Sequence, residues 1–159
     1  MKIRIIAIGK IKEQYLRDGI NEYLTRIKPY ANIEIVEYPD SPVRNNPNAS
    51  DVEIVKNEEG KKVIEKLKLS DYVIALDLNK KEMDSVEFSN YLIKKLESGG
   101  SSITFVIGGS FGLSEALKQR VNDSISLSKM TFLHQMTRLI LLEQIYRGFK
   151  IYNNETYHK

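Results

Sequence analysis

The sequence predicts an α/β fold, a mostly parallel sheet with helices on both of its faces, in a single domain spanning residues 1–159. Three observations predict it. Short runs rich in β-branched residues recur without polar alternation, as expected of strands covered on both faces. Each run is followed by a stretch with apolar residues at helical spacing. Capping signals and Gly or Pro breaks separate the two kinds of stretch, giving the order β-α-β-α-β-α-β-α-β-α with no internal repeat.

Lys2 to Ile8 opens the chain as a strand ending at Gly9. Glu13 to Ile27 places Tyr15, Leu16, Ile20, Tyr23, Leu24 and Ile27 on one helical face, with Gly19 as a weak point. Ile33 to Tyr38 is the second strand. Pro39 to Ser50 holds three of the four prolines and reads as a loop. Ser50-x-x-Glu53 has the form of a capping box for a helix towards Leu67, which Gly60 is expected to bend or interrupt. Asp71 to Asp77 is the third strand. Asp84-x-x-Glu87 is a second capping box, flanked by Met83 and Phe88 at staple positions, and its helix stops at Ser98-Gly99-Gly100.

Ile103 to Ile107 is the central strand, ending at Gly108-Gly109-Ser110-Phe111-Gly112. Ser114 caps a short helix to Val121, and Ser124 to Leu127 forms a short last strand. The closing helix, Leu133 to Phe149, is apolar on nearly every side. Such a helix must be covered on more than one side, and a second subunit is the expected cover. On that reading Leu139 and Leu142 both lie in a homodimer interface.

The bulk properties exclude several classes of function. The chain has no cysteine, hence no disulfide, thiolate metal site or cysteine nucleophile. Its two histidines, His134 and His158, are too few for a histidine-rich metal site, so no metal is expected. No apolar run reaches membrane-spanning length and the N-terminus lacks a signal-peptide pattern, which makes the cytoplasm the expected location. The net charge of +3 is unevenly spread: +4 over residues 1–30, −4 over 31–128 and +3 over 129–159. Basic ends around an acidic middle suit a face turned to phosphate, and also suit plain scatter of surface lysines.

Open α/β sheets bind ligands beyond the carboxyl ends of their strands. The candidate loops are therefore Gly9-Lys10, Leu76 to Asn79, Gly108 to Gly112 and Leu127 to Phe132. Neither a G-x-G-x-x-G fingerprint after the first strand nor a P-loop is present. The triple-glycine loop alone fits a ligand cradle and a simple tight turn equally well. His134 and Arg138, four residues apart, share a face of the closing helix where its dipole favours anions. They suit a phosphate grip, or a solvent-facing polar start to a buried helix. The tail Tyr152 to Lys159 ends in aromatic and basic groups, and by composition it could as well be a frayed terminus.

The run Phe105 to Gly112 and the stretch Leu127-Ser128-Lys129-Met130-Thr131-Phe132-Leu133-His134-Gln135-Met136-Thr137-Arg138 resemble the corresponding loops of the SPOUT methyltransferases. Leu142 to Arg147 and the ending Tyr157-His158-Lys159 extend the likeness, which covers essentially the whole chain and is strongest from 103 to 159. Two departures are small: Ser110-Phe111 occupies variable loop positions, and Leu133 stands where many relatives carry proline, which touches only the local turn.

The resemblance implies a C-terminal deep trefoil knot, a homodimer, and S-adenosylmethionine bound in the knot. Its branch of the family methylates N3 of a pseudouridine in 23S rRNA, with the assembled ribosome as the expected partner. Carried over by position, Leu76, Gly108, Leu127, Ser128, Lys129, Met130, Thr131 and Phe132 would contact the cofactor. Arg138 would bind phosphate or steady the acceptor anion. His134 would orient the substrate or take its proton, while Tyr152, Tyr157 and His158 would place the target base. Two other classes use the same crevice: a non-catalytic RNA- or nucleotide-binding module, and an assembly factor whose apolar helix serves dimerisation alone.

Overall fold

A computed structural model describes residues 1–159. Its ten elements alternate as β1 (Lys2–Ile8), α1 (Gln14–Ile27), β2 (Asn32–Tyr38), α2 (Ala49–Ile64), β3 (Val73–Glu82), α3 (Ser85–Ser98), β4 (Ser102–Ile107), α4 (Glu115–Arg120), β5 (Asp123–Ser126) and α5 (His134–Tyr152). The strands form one sheet in the order β2-β1-β4-β3-β5, and every neighbouring pair is parallel. All five strands therefore deliver their carboxyl ends to the same edge.

The pleat sorts the apolar strand residues between two cores. Ile3, Ile5, Ala7, Ile103, Phe105 and Ile107 face the larger core, where α1, α3 and α5 pack. Ile6, Ile8, Val73, Ala75 and Val106 face the smaller one, closed by Val63 of α2 and Leu117 of α4. This explains the continuous apolar runs: both faces of β1 and β4 are buried.

Three local expectations are corrected. Helix α2 is capped by Asn48, whose side chain accepts from Asp51 N at 2.8 Å while Asp51 Oδ2 accepts from Asn48 N at 2.9 Å. Ser50 falls inside the helix. The Asn48 frame wins because Asn48 takes the extended conformation of a cap residue (φ −83°, ψ 176°) and closes reciprocal bonds with Asp51. Gly60 does not interrupt α2; a Cβ there would lie 2.1 Å from Ser114 Oγ, so the glycine lets α2 approach the cap of α4. Strand β3 continues past Asp77 to Glu82, with a register break between Leu76 and Lys81 where both pair with Ile125. Asn79 bends that bulge at φ 58°. The bulge takes Asp77 to Lys80 out of the ladder with β5, and its polar sequence hid its strand character.

The closing helix is covered largely by its own chain. Leu141, Leu142, Ile145 and Phe149 are sealed between α1 and α3 in the larger core. Leu142, expected at a subunit interface, is 0% exposed. An apolar stripe at helical spacing, Leu133, Met136 and Ile140, stays partly open at the start of the helix. Leu142→Ala should therefore cost about 2–5 kcal/mol by cavity formation. Urea unfolding of the purified protein measures this, with a loss independent of protein concentration as the expected sign of a site within one chain.

Candidate active site

A cavity of about 460 Å³ opens at the carboxyl edge of the sheet. Its walls come from three loops that the strand order brings together. Leu76, Asp77 and Leu78 come from the β3 bulge, and Gly108 to Ser110 with Gly112 from the loop after β4. Leu127, Ser128, Met130, Thr131 and Phe132 come from the loop after β5, and Leu133, His134 and Thr137 from the start of α5.

Each loop holds itself in shape with few polar groups. Gly112 N donates to Gly109 O at 3.1 Å, closing a tight turn with Gly112 at φ 85°. A Cβ at Gly108 would come within 3.1 Å of the Gly112 carbonyl, so only glycine lets the two backbones approach there. In the β5–α5 loop, Ser126 Oγ donates to Ser128 O (2.9 Å) and Ser128 Oγ accepts from Met130 N (3.0 Å). These short-range bonds replace a ladder and keep the loop irregular.

His134 stands at the cavity wall with only 15% of its side chain exposed. Its Nε2 lies 3.8 Å from Asp40 Oδ1. Burial pushes the imidazole pKa below its ordinary value, Asp40 opposes that, and Arg138 adds to it. The balance favours the neutral ring at neutral pH.

Arg138, one turn further on, is fully buried. Its Nη1 donates to Glu37 Oε2 at 2.7 Å, and its Nη2 to the carbonyls of Ile8 (3.0 Å) and Gly9 (2.5 Å). Glu37 Oε2 also accepts from Ile11 N at 2.9 Å. The guanidinium thus ties the start of α5 to the ends of β1 and β2.

A second buried charge centre lies under the glycine loop. Glu59 of α2 is 4% exposed; its Oε1 accepts from Ser41 N at 3.1 Å, and its Oε2 has no partner. A Cβ at Gly109 would lie 2.8 Å from that Oε2. Desolvation is the largest influence on Glu59 and raises its pKa above the ordinary 4.5.

Comparison with known proteins gives this arrangement a family. Residues 1–158 match a family model described as Predicted SPOUT methyltransferase. The chain belongs to the SPOUT methyltransferase family. Proteins named Ribosomal RNA large subunit methyltransferase H from Carboxydothermus hydrogenoformans and Enterococcus faecalis are each 46% identical to it over 159 residues, covering 100% of both chains. A solved structure, a probable methylase family protein from Haemophilus influenzae Rd KW20, aligns with 96% of this chain and 66% of its own. Its TM-score is 0.49 at 12% identity, a likeness too distant to bear on the site.

Of the positions that the SPOUT resemblance marks for the cofactor, Leu76, Gly108, Leu127, Ser128, Met130, Thr131 and Phe132 line the cavity. Lys129 does not; its side chain is exposed beside the loop. His134 lines the cavity, but Arg138 does not. The expected grip of Arg138 on phosphate or an acceptor anion is corrected here, since both of its terminal nitrogens are committed to protein acceptors inside the core.

Tyr152, Tyr157 and His158 also lie off this chain's cavity. The tail is nonetheless no frayed end. Tyr157 packs edge-on against Tyr146 with ring centroids 4.8 Å apart, and its hydroxyl donates to Glu143 at 3.1 Å. Glu155 accepts from Tyr30 at 2.7 Å, and His158 Nδ1 sits 3.3 Å from Arg147. Sequence reasoning missed Glu37, Asp40 and Glu59. The first two look like ordinary strand-end acids, and Glu59 is hidden in the charged run Lys56 to Lys62.

Two substitutions test these buried charges. Arg138→Met should lower stability by about 2 kcal/mol or more, because it removes a charge-assisted bond and the donor to the carbonyls of Ile8 and Gly9; an unchanged urea midpoint would return Arg138 to the solvent side. Glu59 carries the opposite sign. Its raised pKa means that the fold holds the proton more tightly than the unfolded chain does. Stability is then fully present below the ordinary carboxylate pKa and is lost as pH rises through the raised folded value. Glu59→Gln keeps an acceptor for Ser41 N without a buried charge. It should stabilise the protein at pH 7 on the order of 1 kcal/mol, and it should flatten that part of the pH–stability curve.

Proposed function

We propose that this chain is an S-adenosylmethionine-dependent methyltransferase of large-subunit ribosomal RNA, acting at N3 of a pseudouridine in 23S rRNA on the assembled ribosome. The observation that carries this reading is the cavity itself. It has the volume of a small-molecule site, apolar side chains for a flat base, and main-chain groups of two bent loops for polar edges. The full-length likeness to proteins named as rRNA methyltransferases supports the substrate class.

The residues present fit the cofactor. Leu76, Leu127, Met130 and Phe132 would form apolar walls, while Gly108, Ser128 and Thr131 would offer backbone and hydroxyl groups. S-adenosylmethionine, when bound, supplies an electrophilic methyl group on a sulfonium. The chain's own work is then to align, to exclude water and to move a proton. An imide nitrogen is a nucleophile only after losing its proton, and the neutral His134 imidazole at the cavity wall is placed to take it.

The reading extends to architecture. The 159 residues act as one domain, with the segment from 103 onward threaded into a trefoil knot. The protein works as a homodimer. The open stripe Leu133, Met136 and Ile140 beside the cavity supports this, and so does the position of the tail. Tyr157 docks against α1 and α5, His158 sits beside Arg147 of α5, and Tyr152 is the exposed end of α5; off this chain's cavity, they would serve a base-binding site only across a dimer.

The test is transfer of labelled methyl from S-adenosylmethionine to ribosomes lacking the modification. Efficient transfer to ribosomes and poor transfer to naked rRNA are expected, because a chain of net charge +3 neutralises few phosphates on its own. Cofactor binding by calorimetry without any transfer would favour a non-catalytic module instead. Gly108→Ala should weaken cofactor binding at least tenfold, about 1.4 kcal/mol, by displacing the Gly112 carbonyl. Removing Tyr157, His158 and Lys159 should depress turnover far more than cofactor affinity, and a truncated protein with wild-type turnover would count against a role for the tail.

A further inference from the structure

We propose that Asp40 is a positioning residue for His134: its carboxylate holds the Nε2 edge of the imidazole and leaves Nδ1 as the proton acceptor facing the cavity. The inference rests on the methyltransferase reading for its consequence, and on geometry for the pairing. Asp40 Oδ1 is 3.8 Å from His134 Nε2. That nitrogen is sealed from solvent and has no hydrogen-bond partner, whereas Nδ1 is neither sealed nor bonded. His134 itself lines the cavity. The backbone is shaped around the pair as well. Gly9 turns at φ 92°, and a Cβ there would lie 2.6 Å from His134 Nε2 and 3.1 Å from Asp40 Oδ2. Only glycine leaves room for the two side chains to meet.

A neutral imidazole donates from one nitrogen and accepts at the other, and the partner of the first fixes the role of the second. A carboxylate beside Nε2 selects the Nε2–H tautomer and points the lone pair of Nδ1 outward. When Nδ1 takes the imide proton, the N–H bond breaks, its electron pair stays on the substrate nitrogen, and the imidazole becomes a cation. Asp40 stabilises that cation without accepting the proton, and the present contact shortens to a hydrogen bond as the charge develops. The other charged groups near the ring are Arg138 one turn along α5, Glu37 of β2 bound to Arg138, and Asp77 of β3 in the same cavity. Arg138 opposes protonation, and Glu37 partly cancels Arg138. Asp40 is therefore the group that keeps a half-buried imidazole basic enough to act.

The chain has two histidines, so imidazole NMR titration reads the pairing directly, with His158→Gln assigning the second resonance. In the wild type the His134 ring should be the Nε2–H tautomer above its midpoint. Asp40→Asn should lower that midpoint by roughly half a pH unit or more, and Asp40→Glu should recover part of it. The acid limb of the pH–rate profile for methyl transfer to ribosomes should move down by the same amount, with a lower plateau and unchanged cofactor affinity. An unmoved midpoint in a folded Asp40→Asn variant, an Nδ1–H tautomer, or a moved midpoint with an unmoved acid limb would each overturn the assignment. A wild type that transfers no methyl while the NMR shift is present would sink the methyltransferase reading and still support the pairing.

Discussion

The Arg138 guanidinium is the constraint on which the rest of the site depends. It is the largest side chain fully sealed in the molecule, and it sits where three elements end. Its bonds to Glu37, Ile8 O and Gly9 O fix the first turns of α5 against the carboxyl ends of β1 and β2. A buried cation is costly unless it is paired; Nε has no partner, so the bonds of Nη1 and Nη2 carry the whole compensation and these groups cannot drift apart independently. The same turn of helix carries His134, and the same loops carry Gly9 and Asp40. Fixing Arg138 thereby fixes the imidazole at the cavity wall.

The cavity shows a complementary economy. Its loops are irregular, yet the polar atoms that shape them are satisfied within a few residues, as in Ser126 to Ser128 and Ser128 to Met130. Apolar side chains such as Leu76, Leu127 and Phe132 line the open space between them. Beneath the glycine loop, Glu59 joins Ser41 to α2 at the cost of an unpaired oxygen. The site of this SPOUT family member is thus held by two buried charges, one on each face of the sheet. Arg138 projects from α5, which packs in the larger core, and Glu59 from α2, which covers the smaller core.

Much of this was legible in the residues. The β-branched runs, the capping box at Asp84 and the cap at Ser114 mark elements whose stability is local, and apart from the far end of β3 the structure places them within a residue or two of the expected bounds. The glycine loop and the Leu127 to Phe132 stretch stood out as candidate ligand loops because they follow strands of an open α/β sheet and resemble the SPOUT loops. Their meeting at one cavity follows from strand order, which brings β3, β4 and β5 side by side. Lys129 shows that membership of a loop and a place in the cavity wall are separate matters: its side chain is exposed and does not line the space that its neighbours enclose.

By itself, then, the sequence determined the α/β class, the parallel sheet and the two loops that matter. These follow from periodicity and turn chemistry, which act over a few residues. Only the tertiary structure decided which charges are buried and which side chains meet. Arg138 and Glu37 are 101 positions apart, His134 and Asp40 nearly as far, and Tyr157 finds Tyr23 and Tyr146 only once α1 and α5 have packed. The apolar surround of α5 raised the question of a partner. In the fold, α1 and α3 supply most of that cover, because burying a helix needs neighbouring apolar surface and does not specify which chain provides it.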